Sequence, residues 1–219
     1  TVMSSEADLF GVFEMPYLVK DRKHMARIEK DVFWPTIAPA AEKKGLKVIA
    51  VWENGYRHIT NSKRPINTPD DLKGIKLRVP EGKWRVKMFQ AYGANPSPMK
   101  FSEVFTALQT GVMDGQENPF TQIYSAKFHE AQKYLTLTGH VYSPCVMLMN
   151  KAAFDKLSAA DKQAFLDAAK EAVKANRARV DEDDASGVAY LRGKGMNVVE
   201  NVDKAKFVAV LAPVYADFE

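Results

Sequence analysis

The sequence predicts an α/β fold, on three observations. Strand-like segments alternate with helical ones from residue 47 to 120 and again at the end, the pattern of a largely parallel sheet covered by helices. Residues 159–186 contain neither Gly nor Pro, so one helix of some 30 residues, about 45 Å long, is expected there. That exceeds the diameter of one small lobe, so the helix should run along two. The length of 219 residues fits one large domain or two such lobes.

The elements follow in order. Residues 9–18 are apolar and broken by Gly11 and Pro16, which predicts a loop with a short extended piece. Residues 21–44 read as one or two helices, kinked by Pro35 and Pro39. Lys47 to Trp52 is a buried strand, Asn54-Gly55 a turn, and Tyr56 to Thr60 a shorter strand. Thr68-Pro69-Asp70-Asp71 starts a helical turn, with Thr68 as N-cap. Ile75 to Val79 is a strand that Pro80 ends. Residues 83–92 form a helix closed by Gly93, and Asn95 to Met99 is weakly extended. Ser102 caps a helix that reaches Thr110, with Gly111 beyond it. Val112 to Glu117 is a strand, and Pro119 opens a helix to about Lys133. Residues 134–149 are extended. Ser158 caps the long helix, whose buried face is read as Phe165, Ala169, Ala172, Val173, Asn176, Val180, Val188 and Leu191. Met196 to Val199 is a last strand and residues 202–212 a last helix.

Composition excludes several classes. The hydrophobic fraction is 46% and the charged fraction 26%, ordinary for a globular protein. The formal charge is +4, but basic residues are scattered among acids, which argues against nucleic-acid binding. No apolar stretch approaches the roughly 18 to 20 residues of a membrane span. Thr1 to Ser5 does not resemble a leader, as a mature exported protein or a fragment would not, and the sequence is expected to be clipped at both ends. No Gly-x-Gly-x-x-Gly, Walker loop or Gly-x-Ser-x-Gly elbow is present. His24, His58, His129 and His140 are far apart, so no metal or cofactor is expected. Cys145, the one cysteine, is expected to be buried and structural. Asp181 to Asp184 is read as a solvated helix face, and Met147 and Met149 as strand core.

Among candidate binding residues, Arg78 lies at the C-terminal end of its strand, the edge where open α/β sheets bind ligands. A guanidinium matches a carboxylate as a planar fork, although a surface salt bridge explains an arginine there equally. Arg57 makes a similar, weaker claim. Asn118 precedes a Pro-started helix and serves either as a ligand contact or as its N-cap.

Three motifs in order, Lys76-Leu77-Arg78-Val79-Pro80, the run from Phe101 to Gly111, and Asp114-Gly115-Gln116-Glu117-Asn118-Pro119, closely resemble the substrate-binding proteins of TRAP (tripartite ATP-independent periplasmic) transporters, of the dicarboxylate-receptor type. Met15-Pro16-Tyr17-Leu18 and residues 63–74 fit as well. The resemblance implies a two-lobe periplasmic-binding-protein-like fold with a hinge and a long helix spanning both lobes. Lobe one would comprise 1–55 plus 144–183, lobe two 56–143 plus 184–219. It further implies an organic acid held in the cleft, its carboxylate on Arg78, with Arg57, Asn118 and Phe101 lining the site. The turn after Pro80 (Glu81, Gly82 and Trp84) would meet the rest of the ligand. Family members normally begin with a strand–helix–strand unit upstream of Thr1, so lobe one is expected to lack it.

The resulting expectation is a monomeric, non-catalytic periplasmic receptor that hands a small carboxylate to TRAP membrane permease subunits. A sensory ligand-binding module and a two-lobe enzyme are the alternatives. The missing acid–base constellation counts against the enzyme.

Overall fold

A computed structural model describes residues 8–219. The first seven, on which the leader was judged, lie outside the described residues. In place of a loop, Asp8–Glu14 forms a 3-10 helix, because Phe10 and Phe13 both close on Phe33, with ring centroids 5.8 and 6.0 Å away. Asp21 caps α1 (Arg22–Ile28), accepting the His24 N–H at 2.6 Å. A π-helical stretch, Glu29–Ile37, carries Pro35 and leads into α2 (Ala38–Lys43). The wider turn accommodates a proline that removes one backbone donor.

Strand β1 (Leu46–Tyr56) runs straight through the expected Asn54-Gly55 turn. The register shifts between Glu53 and Gly55, and Gly55 takes φ +102°, so this pair makes a β-bulge. One residue, Arg57, then separates β1 from β2 (His58–Asn61). The chain continues through β3 (Lys76–Val79), α3 (Lys83–Ala91), β4 (Asn95–Pro98), α4 (Val104–Gln109), β5 (Gly115–Asn118), α5 (Phe120–Ser125) and β6 (Tyr134–Thr136). It returns through β7 (Tyr142–Asn150), α6 (Lys151–Asp155), the long α7 (Ala159–Gly193), β8 (Asn197–Val199), α8 (Lys204–Ala209) and α9 (Ala212–Ala216). The helix expected to reach about Lys133 stops at Ser125, where Lys127 adopts a left-handed conformation.

β1 and β7 pair antiparallel as a two-stranded sheet, and a six-stranded sheet has the order β4-β3-β5-β2-β6-β8. β3 is parallel to β4 and β5, and β6 to β8, while β2 is antiparallel to β5 and β6. The expected largely parallel sheet is therefore mixed. β2 enters directly from the other sheet through Arg57, with no crossover helix to reverse it.

Each sheet is covered on both faces. Val48, Val51 and Tyr142 pack on Phe33 and Ile37, and behind them Ile49 and Ala50 meet Phe154 and Ala169. In the second sheet Leu77 and Val79 pack on Met88, Phe89 and Phe207, while Leu135 joins Val104, Ile123 and Leu191 on the reverse side. The long helix therefore reaches both, through Ala169 and Leu191. At Gly187 it meets α5 so closely that a Cβ would lie 2.7 Å from Phe120 Cγ.

Four expectations change. Phe165 matches the helical spacing but is 42% exposed, since nothing described packs over it. The acidic run is only partly solvated: Asp183 accepts from Thr121 Oγ1 at 2.6 Å, and Asp184 from Arg22 at 2.6 Å. Cys145 is exposed, as is Met147, because alternation on β7 turns Val146 and Leu148 toward the core instead.

Candidate ligand-binding site

β3 lies between β4 and β5, with Arg78 opposite Ser97 on one side and Gln116 on the other. Pro80 stiffens its exit. Arg78 is 3% exposed, and its Nε and Nη2 donate to the Met99 carbonyl at 3.0 and 2.6 Å. Its guanidinium carbon lies 6.0 Å from the Phe101 ring centroid. A cavity of about 260 Å³ opens here, lined by Arg57, Arg78, Glu81, Phe101 and Asn118. Thus five residues singled out from the sequence meet around one space.

Gly82 and Trp84 do not line it. Gly82 is the N-cap of α3, with φ +145°. Trp84 turns away on the first turn of that helix, and its indole packs edge-on to Phe218 at 5.1 Å. The wall also contains Asn54 and Gln122, which the sequence reading missed. Gln122 Nε2 donates to Asn54 Oδ1 at 2.8 Å. The bulge at Gly55 puts Asn54 there, and local sequence signals a turn instead.

A buried ionic cluster backs the cavity. Arg57 Nε donates to Glu117 Oε2 at 2.5 Å, and its Nη2 donates to Glu117 Oε1 at 2.9 Å and to Asn118 Oδ1 at 3.0 Å. Glu117 also lies 3.8 Å from Arg85 Nη1, and Arg85 Nη2 donates to Glu14 at 2.8 Å. Burial alone would raise the Glu117 carboxyl's pKa, but Arg57 and Arg85, with His140, hold it well below the usual range. His140 lies 2.9 Å from Glu117 through Nε2 and 2.7 Å from Thr138 Oγ1 through Nδ1. Burial pushes its pKa down to about 4 against the pull of Glu117. The neutral ring therefore donates from Nε2 to the carboxylate and accepts the threonine hydroxyl at Nδ1.

A polar relay orients Asn118. Its Nδ2 donates to Gln116 Oε1 at 2.6 Å, Gln116 Nε2 to Thr60 Oγ1 at 2.9 Å, and Thr60 Oγ1 to Gln132 Oε1 at 3.0 Å. With Arg57 donating to its oxygen, Asn118 has one amide hydrogen left for the cavity.

Arg78 differs from Arg57 and Arg85. Among the described residues no carboxylate lies within 4.0 Å of it. Burial, with Arg57 nearby, pushes its pKa down to about 10, despite Glu117 and Glu81. It remains a cation, and a buried cation lacking a counter-charge is costly unless a ligand supplies one.

Residues 3–219 match the family described as bacterial extracellular solute-binding protein, family 7. The chain belongs to this family. It is 54% identical over 208 residues to a solute-binding protein of Verminephrobacter eiseniae, covering 95% of this chain and 62% of that one. It is 40% identical to the Escherichia coli 2,3-diketo-L-gulonate-binding periplasmic protein YiaO, covering 91% and 61%. A solved TRAP periplasmic solute-binding protein from a Polaromonas species, bound to D-erythronate, superimposes with a TM-score of 0.95 at 42% identity, over 99% of this chain and 71% of that one. The fold is that of the TRAP periplasmic binding proteins, mixed α/β with one long helix. The chain spans about three fifths of the two curated relatives' length.

Proposed function

We propose that this chain is the ligand-binding part of a periplasmic TRAP receptor and takes a sugar acid or related hydroxycarboxylate. The observation that carries this is Arg78, a buried guanidinium with a free edge toward a cavity and no carboxylate partner among the described residues. A ligand carboxylate would complete its fork. Phe101 offers an apolar face, while Asn118, Glu81 and the Asn54–Gln122 pair offer partners for hydroxyls. Arg57, already neutralised by Glu117, shapes the wall and holds Asn118. The solved relative with D-erythronate supports this ligand class.

In this reading the chain works by binding and release, not catalysis, as a monomer that delivers its ligand to membrane permease subunits. The lobes are 1–55 plus 144–183 and 56–143 plus 184–219. The two strand crossings, at Arg57 and at residues 137–141, lie within a few residues of two of these bounds, and with the separate cores of the two sheets they support a two-lobe division. Such crossings act as hinges, and closure over the ligand excludes water.

Calorimetry with a panel of four- to six-carbon aldonates and uronates, each beside its neutral alditol or aldose, tests the proposal. Binding of at least one acid, with no binding of its neutral counterpart, is expected. Equal binding of both would overturn it.

A further inference from the structure

A second cavity, of about 1020 Å³, shares no wall residue with the first. Its walls come from both strand crossings, through Tyr56 and His58 on one and Leu137 and Gly139 on the other. Lys20, ahead of α1, and Lys204, opening α8, face the same space.

His58 is 8% exposed, and its ring lies against Phe120 at 4.7 Å. Its Nδ1 accepts the Gly139 N–H at 3.2 Å. The ring proton therefore sits on Nε2, and no described residue accepts from it. Burial, with His140 and Lys204 nearby, pushes its pKa down to about 3, so the ring is a neutral donor near pH 7. Several groups converge at this point. A methyl group on Gly139 would lie 3.6 Å from Lys204 Nζ and 4.0 Å from both His58 Cε1 and Tyr56 Cδ1.

The charges of the wall are unevenly used. Asp21 caps α1, Asp184 is held by Arg22 at 2.6 Å, and Glu200 by Arg192 at 2.5 Å. Lys20, Lys23 and Lys204 have no carboxylate within 4.0 Å among the described residues. Asp184 and Glu200 are paired with arginines and Asp21 accepts a backbone N–H, so what remains for a ligand is the unpaired lysines and the His58 N–H. That favours an anion with several acceptor oxygens over a cation.

We propose that this cavity is a second binding site, for a small oxyanion held between the Lys204 ammonium, Lys20 and the Nε2–H of His58. It is independent of the carboxylate reading of the Arg78 cavity.

Inorganic phosphate is the probe. It is titrated into the chain while the His58 imidazole resonances are followed by NMR. A saturable shift is expected, weakening as sodium chloride is added. Lys204→Met should raise the phosphate Kd at least about fivefold. His58→Phe, which keeps the ring against Phe120, should do the same when phosphate is followed through the Gly139 amide. Arg78→Ala should leave the His58 titration unchanged. Absence of a saturable shift overturns the proposal. So does a shift as strong in Lys204→Met, which marks an adventitious ion only, or one abolished by Arg78→Ala, which moves the phosphate to the smaller cavity. Lys204 is exposed, so its variant keeps the test decisive even if His58→Phe fails to fold.

Discussion

Arg78 gives both Nε and Nη2 to the carbonyl oxygen of Met99, at 3.0 and 2.6 Å. One side of the guanidinium is thereby fixed to the protein before any ligand arrives. A group held this way loses little freedom on binding, which is how preorganisation raises affinity.

Glu117 should be the most sensitive residue for stability. Glu117→Gln keeps the shape but leaves Arg57 and Arg85 without its charge, in a cluster where all three side chains are buried. Breaking such a group on one side costs about 3 to 5 kcal/mol. Urea unfolding should show the midpoint falling sharply, and a loss near zero would mean that the carboxylate does not carry the cluster.

Stability should fall with pH through the two buried histidines. His140 and His58 ordinarily titrate near 6.5, but burial holds them at about 4 and about 3 in the folded chain. Above pH 6.5 both states are neutral and the stability is complete. Below it the unfolded chain takes up protons that the native chain refuses, so stability is lost between pH 6.5 and about 4 for His140, and down to about 3 for His58. By pH 5.5 each histidine should contribute a loss of about 1 kcal/mol. Unfolding at pH 7.5 and 5.5, repeated with His140→Gln, checks this. The variant should lose less between the two pH values, and an identical loss would count against it.

Gln116→Leu should interrupt the amide relay. It removes the acceptor of the Asn118 amide and the donor to the Thr60 hydroxyl, which keeps only its bond to Gln132, in a site where Gln116 and Thr60 are 0% exposed. An unsatisfied buried polar group costs about 1 to 3 kcal/mol. Ligand affinity should fall too, since Asn118 loses one of the two bonds that orient it. Denaturation and calorimetry together check both effects.

Gly187→Ala should destabilise the contact between α7 and α5. Helix propensity alone would favour alanine, yet its Cβ would overlap the Phe120 ring at 2.7 Å. Overpacking of this kind costs about 1 to 3 kcal/mol. A higher melting temperature would show that the helices shift apart freely.

Much of this was legible in the sequence because the signals were local. Arg78 sits in a β-branched and apolar run that ends at Pro80, so its strand-end position could be read directly. The long helix, capped by Ser158, could be read in the same way. Asn54 and Gln122 were hidden, because Asn-Gly signals a turn and only pairing with β7 converts it to a bulge. Trp84 was misplaced for a related reason. The turn after Pro80 could be located, but which way the first turn of α3 faces depends on Phe218, a contact made across more than half the chain. Direction within the six-stranded sheet was equally distant information, set where Arg57 carries the chain from one sheet to the other.

The central claim is that Arg78 clamps a carboxylate. Calorimetry of the wild type, Arg78→Lys and Arg78→Ala, with whichever sugar acid binds the wild type, tests it most directly. A charge-assisted, two-pronged contact is worth about 1.5 to 3 kcal/mol, and more when the ligand's charge is left unpaired in a closed site. Arg78→Ala should therefore weaken binding by at least about tenfold, with Arg78→Lys between the two because it keeps the charge and loses the fork. Binding by folded Arg78→Ala within about twofold of wild type, a difference of about 0.4 kcal/mol, would contradict the account.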